Sequence, residues 1–266
     1  MKKLLVLFGF LVAAGSIYGQ GEIDDQTKIL FQDEKSISAS LNSNGYSASY
    51  RYGRRKTYLT KTIYDIELSY IKHPKEIKTY TPSSYTISRK YVNGKMNLFL
   101  NFRPSIGFQK EIFSKEDKGS IAVRYYYAFG PSLGITKPIY YDFNIWGRVG
   151  DTYIITETRE EKYDFTQNTP LLWEIAGKAP FWKGFDEITL YPGLHAKFGM
   201  SFEYGSLNSL INAIDAGIIA EVFNKKIPIM YTSDNKQFFI TLYVSYRFGW
   251  IVDTRMRGLS EPEITQ

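Results

Sequence analysis

The chain predicts an all-β fold: a transmembrane, antiparallel, up-and-down β-barrel of eight strands with long extracellular loops. Three observations predict it. Long segments alternate apolar and polar residues with a period of two. The connections between them alternate short and long, as bacterial barrels require. No run of about 18 apolar residues follows the first twenty positions, so a helical span is not expected.

The clearest segment is 237–250. Phe238, Ile240, Leu242, Val244, Tyr246, Phe248 and Trp250 share one side, while Gln237, Phe239, Thr241, Tyr243, Ser245, Arg247 and Gly249, mostly polar or small, share the other. Successive strand residues point to opposite faces, so this run has one apolar and one polar face. Residues 188–205 repeat the pattern, with Leu190, Leu194, Phe198, Met200 and Phe202 against His195, Lys197, Ser201 and Glu203. Runs this long exceed the usual strand of about 5–6 residues in a soluble sheet. A tilted barrel strand needs about 9–11 residues to cross a bilayer.

Six further segments pass the same test. Residues 36–41 put Ile37, Ala39 and Leu41 outward, and 46–54 put Tyr46, Ala48, Tyr50 and Tyr52 outward. Residues 60–72 put Tyr64, Ile66, Leu68 and Tyr70 outward. Residues 95–114 and 120–141 follow, each crossed by a proline, Pro104 and Pro131. Those prolines are expected at bulges or at gaps in regular pairing. Residues 209–223 are the least regular, because Ile211 and Ile219 fall on the polar face; a helix is the alternative there. Residues 143–157 hold Phe143, Ile145 and Trp146 and supply the alternative count of ten strands. Short turns are expected at 55–59, 115–119 and 206–208, with longer loops at 73–94, 142–187 and 224–236. The exception is 42–45, whose Asn-Gly pair suits a tight hairpin.

Composition narrows the functional classes. There is no Cys, which excludes disulfides and thiolate metal or redox sites. Only two His, His73 and His195, are present, too few for a His-rich metal centre, and no metal or other cofactor is expected. The segment MKKLLVLFGFLVAAGSIYGQ has the charged, apolar and small-residue order of a secretory signal. The expected organisation is a cleaved signal peptide at 1–20, an N-terminal periplasmic segment at 21–35, the outer-membrane barrel at 36–250 and a periplasmic tail at 251–266. The chain carries 33 basic and 27 acidic residues; without Lys2 and Lys3 the balance is 31 to 27, or +4. That suits contact with anionic lipid, and nucleic acid is not an expected partner.

An eight-stranded barrel is just wide enough for side chains to fill. The inward face predicts a lumen polar network of Arg51, Asp65, Glu67, Arg103, Glu111, Arg124, His195, Lys197, Glu203, Asp215, Glu221 and Arg247. Its charges nearly balance, as buried charges must pair. His195 is the one candidate for catalysis. Ser201 lies six residues along the same strand, about 20 Å at strand rise, so it cannot serve as the partner. His73, before Pro74, reads as a loop residue. Glu157, Glu160, Glu161 and Asp164 lack Ca²⁺-loop spacing and read as a solvated loop. Lys75, Lys78, Arg89 and Lys90, with Lys72 just before them, stand among Tyr80, Tyr85 and Tyr91. Basic and aromatic residues together at a membrane face suit lipid phosphates or acidic glycans, a solvated loop being the alternative.

Three stretches carry a likeness: LNSNGYSASYRYGRRKTYLTKTIYDIELSYIKHPKE, KEDKGSIAVRYYYAFGPSLGITKPIYY and NKKIPIMYTSDNKQFFITLYVSYRFGW. Through them the chain resembles small outer-membrane β-barrel proteins of Bacteroidota, a family without an assigned activity. The resemblance implies an outer-membrane location, contact with outer-membrane lipids and insertion by the barrel-assembly machinery. The last strand is similar to the aromatic-ended signal read by that machinery, although residues continue past Trp250. The expected function is non-enzymatic: envelope integrity, or surface and partner binding through the outer loops. The alternatives are a barrel-embedded enzyme acting on lipid A or another envelope lipid, and a narrow solute-binding or transport barrel.

Overall fold

A computed structural model describes residues 32–79, 90–114, 121–162, 175–204, 210–231 and 234–253. The strands, in chain order, are β1 (Gln32–Asn42), β2 (Gly45–Arg55), β3 (Thr60–Ile71), β4 (Lys78–Thr79), β5 (Tyr91–Val92), β6 (Asn97–Phe113) and β7 (Ala122–Pro138). They continue with β8 (Tyr140–Val149), β9 (Thr152–Lys162), β10 (Ile175–Lys178), β11 (Thr189–Tyr204), β12 (Leu210–Phe223) and β13 (Phe238–Asp253).

Eight strands close into one antiparallel barrel in the order β1-β13-β12-β11-β7-β6-β3-β2. Closure is made by β1 against β13, from Gln32 opposite Asp253 to Asn42 opposite Tyr243. A closed sheet has no edge, so every barrel strand has a hydrogen-bonded neighbour on both sides. The wall begins at Gln32 and ends at Asp253, beyond the limits of 36 and 250 expected from alternation alone. The signal peptide, most of segment 21–35 and residues 254–266 lie outside the described residues, as do 115–119 and 206–208.

Polarity is inverted relative to a soluble protein. Outward side chains stay exposed, among them Leu41 at 76%, Leu194 at 65% and Leu242 at 60%. Inward positions hold charges, including Arg103, Asp215, Glu221 and Arg247, each 1% exposed. Aromatic pairs flank the aliphatic part of the outer wall. Tyr52 and Tyr64 stack at 6.3 Å near one end, and Tyr46 and Tyr70 pack at 5.2 Å near the other.

Three local features settle choices that the sequence left open, each in favour of the expected reading. The segment at 209–223 is strand β12, not a helix; its inward Ile219 packs with Ile63, Tyr126, Ala128 and Tyr243 as an apolar layer inside the lumen. The count is eight and not ten. Strand β8 leaves the wall after Ile139 and forms a separate sheet, β10-β8-β9. At 42–45, Ser43 and Asn44 form the two-residue connection, and Asn42 pairs with Gly45. Gly45 is required by crowding, since a Cβ there would stand 1.9 Å from the Tyr70 carbonyl oxygen.

Pro104 and Pro131 face each other across β6 and β7. Pairing runs to Phe102–Leu133 and resumes at Ile106–Phe129 in the same register, so the interval is a gap in the ladder. Each proline still pairs on its other side, Pro104 with Ile66 and Pro131 with Leu194. Two missing N–H donors aimed at one seam cost less than two aimed at separate ladders.

Candidate functional site

The lumen is filled in layers, from the end with short turns to the end with long loops. Nearest the turns, Arg124 Nε donates to Glu111 Oε2 (2.7 Å) and its Nη1 pairs with Glu203. Lys61 pairs with Glu34 beside them. Sequence reasoning missed Glu34 and Lys61. Both share the inward parity of their strands, so extending the alternation past the apolar residues would have found them.

The middle layer is the most densely paired. Arg51 Nη1 donates to Asp215 Oδ2 and its Nη2 to Asp65 Oδ2, both at 3.2 Å. Arg247 Nε donates to Asp215 Oδ2 (3.1 Å) and its Nη2 to Ser201 Oγ (2.7 Å). Lys197 Nζ donates to Glu67 Oε2 at 2.8 Å and stands 4.8 Å above the Tyr243 ring. Tyr243 and Tyr126 share a hydroxyl hydrogen bond of 2.6 Å, and the Arg51 guanidinium lies 4.5 Å over the Tyr126 ring. A single carboxylate between two guanidiniums, with hydrogen-bonded neighbours, is how buried charges offset their desolvation.

Next, Arg103 lies 3.5 Å from Glu67 and 3.3 Å from Glu221. Asn101 Nδ2 donates to Glu221 Oε1 at 2.6 Å. Above this layer the lumen turns apolar: Ile71, Phe99 and Phe223 from the wall meet Ile227, Ile229 and Met230 from the last loop. Phe99 and Phe223 pack edge to face at 5.7 Å. All twelve sequence-predicted lumen residues point inward, and the pairs above bring each except His195 to an opposite charge.

His195 meets a partner from the neighbouring strand. Ser132 Oγ is 3.0 Å from His195 Nδ1 and donates to Glu221 Oε1 at 3.2 Å. Serine, imidazole and carboxylate are the residue types of acyl-transfer chemistry, but their order differs from a working relay. There the carboxylate orients the imidazole and the imidazole takes the serine proton. Here the serine proton goes to the carboxylate, which leaves His195 Nδ1–H to donate to Ser132 Oγ. The tautomer follows from this hydrogen-bond pattern. Pro131 and Gly130, beside the gap in the ladder, line an outer notch of about 540 Å³ that also reaches Leu194 and His195.

His73 lies in the loop after β3, as expected, and is buried there. Its Nδ1 accepts from the Lys75 amide at 3.2 Å and its own amide donates to Glu76 Oε1 at 3.0 Å, closing a turn. Glu157, Glu160 and Glu161 lie on strand β9, not in a loop; Asp164, Arg89, Tyr80 and Tyr85 lie outside the described residues.

The separate sheet overhangs the outer wall. Tyr141 and Ile175 pack with Tyr91 and Ile139, and with the outward Leu98 of β6. Beneath this overhang is a cavity of about 940 Å³. Its floor is the outer wall, with Leu41, Leu68, Leu98 and Leu100; its roof carries Lys72, Lys78, Lys90, Lys95 and Lys178. Lys95 Nζ pairs with Glu76 Oε2 and donates to the Tyr70 hydroxyl at 3.0 Å.

No family model matches the chain, and no match is found among curated proteins. Among solved structures it is similar to neisserial surface protein A, at 12% identity and a TM-score of 0.36, covering 82% of this chain and 95% of that one. It is also similar to Ail, the attachment invasion locus protein of Yersinia pestis, crystallised with the heparin analogue sucrose octasulfate, at 10% identity and a TM-score of 0.37, covering 83% and 98%. A third likeness is to the N-terminal β-barrel domain of Pseudomonas aeruginosa OprF, at 8% identity and a TM-score of 0.31, covering 82% and 98%. At these scores none of the three bears on function. The barrel rests on its own strand pairing.

Proposed function

We propose that the chain is an outer-membrane β-barrel protein with a side-chain-filled lumen, serving envelope integrity or surface and partner binding through its loop end. The observation that carries this reading is the inverted polarity. A wall that exposes Leu41, Leu194 and Leu242 while burying Arg51, Asp215 and Arg247 suits lipid outside and a paired plug inside. Bacterial outer membranes are where barrels of this kind reside, and residues 1–20 have the form of the export signal that leads there. On this reading the chain belongs with the Bacteroidota barrels inserted by the assembly machinery, and the resemblance carried by the three quoted stretches supports it. Transport through the lumen fits poorly, because the apolar cap of Phe99, Phe223 and Ile229 closes the loop end.

A second reading, an enzyme acting on an envelope lipid, has one observation in its favour: the contact of Ser132 with His195 beside the outer notch. The hydrogen-bond order described above favours a structural role for both.

The test is gel mobility of the outer-membrane fraction, boiled against unboiled, followed by planar-bilayer recording. A heat-dependent shift with no conductance supports the closed barrel. A protein found only in the periplasm, or a steady conductance, overturns it. Unchanged envelope-lipid profiles in Ser132→Ala and His195→Asn strains would dispose of the enzyme; a new lipid species in both would establish it.

A further inference from the structure

The cavity under the overhang combines two environments that water-soluble ligands do not need together. Its floor is formed by outward wall residues, Leu41, Leu68, Leu98 and Leu100, at the loop-end edge of the apolar wall. Its roof is cationic, with five lysines against one glutamate, Glu76. Glu76 is taken by Lys95. Among the described residues, Lys72, Lys78, Lys90 and Lys178 have no ion-pair partner. Lys72 hangs 5.9 Å from the Tyr46 ring and 5.8 Å from the Tyr70 ring, which fixes its ammonium beside the cavity. The Tyr91 hydroxyl, on a lining residue only 2% exposed, has no hydrogen-bond partner among the described residues.

Like charges gathered over an apolar floor repel one another and call for an anion. Burial, and then the Lys95 charge, holds the Lys178 ammonium below the ordinary lysine value. An anion seated among these lysines would relieve that repulsion. The bilayer offers a ligand that also satisfies the floor.

We infer that this cavity binds a phosphate-bearing membrane lipid, with its acyl chains along Leu41, Leu68, Leu98 and Leu100 and its phosphate among Lys72, Lys78, Lys90 and Lys178. The inference rests on the membrane-spanning reading above. Phosphate near a lysine cluster at a membrane surface gains about 1 kcal/mol per lysine, or roughly fivefold in affinity each. The wall sequence alone shows the floor, and the second loop shows most of the lysines. Lys178 comes from β10, so only the fold brings the roof together.

The experiment uses the full chain in detergent micelles, its folding checked by heat-dependent gel mobility. Native mass spectrometry then follows retention of phosphatidate against phosphatidylcholine of the same chain length. The wild type is expected to retain phosphatidate preferentially. Combining Lys72→Ala, Lys78→Ala and Lys90→Ala, all on exposed side chains, is expected to weaken it on the order of a hundredfold. Lys225→Ala with Lys226→Ala, exposed lysines of another loop that do not line the cavity, should leave retention within about twofold, well short of one lysine's contribution. Equal retention of both lipids, or an undiminished preference in the triple variant, overturns the inference. So does displacement of phosphatidate by inorganic phosphate alone, which would make the cavity a simple anion site. A wild-type chain with no heat-dependent mobility would instead defeat the membrane reading itself.

Discussion

The lumen and the overhanging sheet use the same charge pairs in opposite surroundings. In the lumen, Asp215 accepts from Arg51 and Arg247 with both partners almost wholly removed from water. On β9, Arg159 meets Glu157 at 3.5 Å and Glu161 at 3.3 Å with all three side chains more than half exposed. Distances are alike, but the consequences differ. A buried pair has given up its hydration, so losing one partner strands a charge. An exposed pair exchanges one polar neighbour for water at little cost. The lumen is therefore the region whose charges hold the fold, and the overhang is the region that can change without losing the barrel.

The largest expected effect is from Asp215→Leu, which leaves Arg51 and Arg247 facing each other unneutralised. It should cost about 3–5 kcal/mol, read from the denaturant midpoint in micelles. A loss below about 1 kcal/mol would mean that water enters the lumen freely. Phe99→Ala comes next. Phe99 is fully buried between Phe223 and Phe239, and its removal should cost about 3 kcal/mol. The same variant in a bilayer is expected to stay non-conducting, because the ion-paired layers lie below it. On the overhang, Arg159→Ala should leave the denaturant midpoint unchanged; a shift like that of Asp215→Leu would erase the contrast between the regions.

The smallest effect is a titration. A hydrogen bond to Glu187 holds the Tyr140 phenol up to about 12. Glu187 is in turn held below the ordinary carboxylate value, first by its hydrogen bond from Lys162 and then by the one from Tyr140. The sign follows from linkage. Tyr140's contribution is intact below the ordinary tyrosine value of 10.0 and is lost as pH climbs through about 12. Glu187→Gln should bring one tyrosine's absorbance change back toward the ordinary range. An unchanged titration would mean that the overhang does not hold this contact in solution.

The two regions also differ in how far they could be read from sequence, for a physical reason. Along β13 every second residue faces a different medium, so Phe238 to Trp250 alternate without interruption on the outward side. Inward parity then identified Arg51, Asp65 and Asp215, though not which carboxylate meets which guanidinium, since that depends on strands far apart in sequence. Ser132 escaped because Pro131 breaks the pattern beside it, and its partner His195 belongs to another strand. In β8 there is no such division. Tyr141, Asp142 and Asn144 are all buried by the overhang's own packing, and β9 is exposed along most of its length. Strand character without two unlike faces leaves no wall-like period to detect, so residues 142–187 read as a loop, with 143–157 as an alternative source of wall strands. The cavity was partly legible: its second-loop lysines and the outward leucines of its floor stood out, and Lys178 did not.

The chain's lack of cysteine makes the inverted polarity directly measurable. Single cysteines introduced one at a time from 238 to 250 in β13, each spin-labelled in reconstituted bilayers, report contact with oxygen dissolved in lipid against a water-soluble relaxation agent. The expected result is a period of two, with 240, 242, 244, 246 and 248 open to oxygen and 241, 243, 245 and 247 shielded from both. High access of the water-soluble agent to 240, 242 and 244 would contradict a wall that faces lipid.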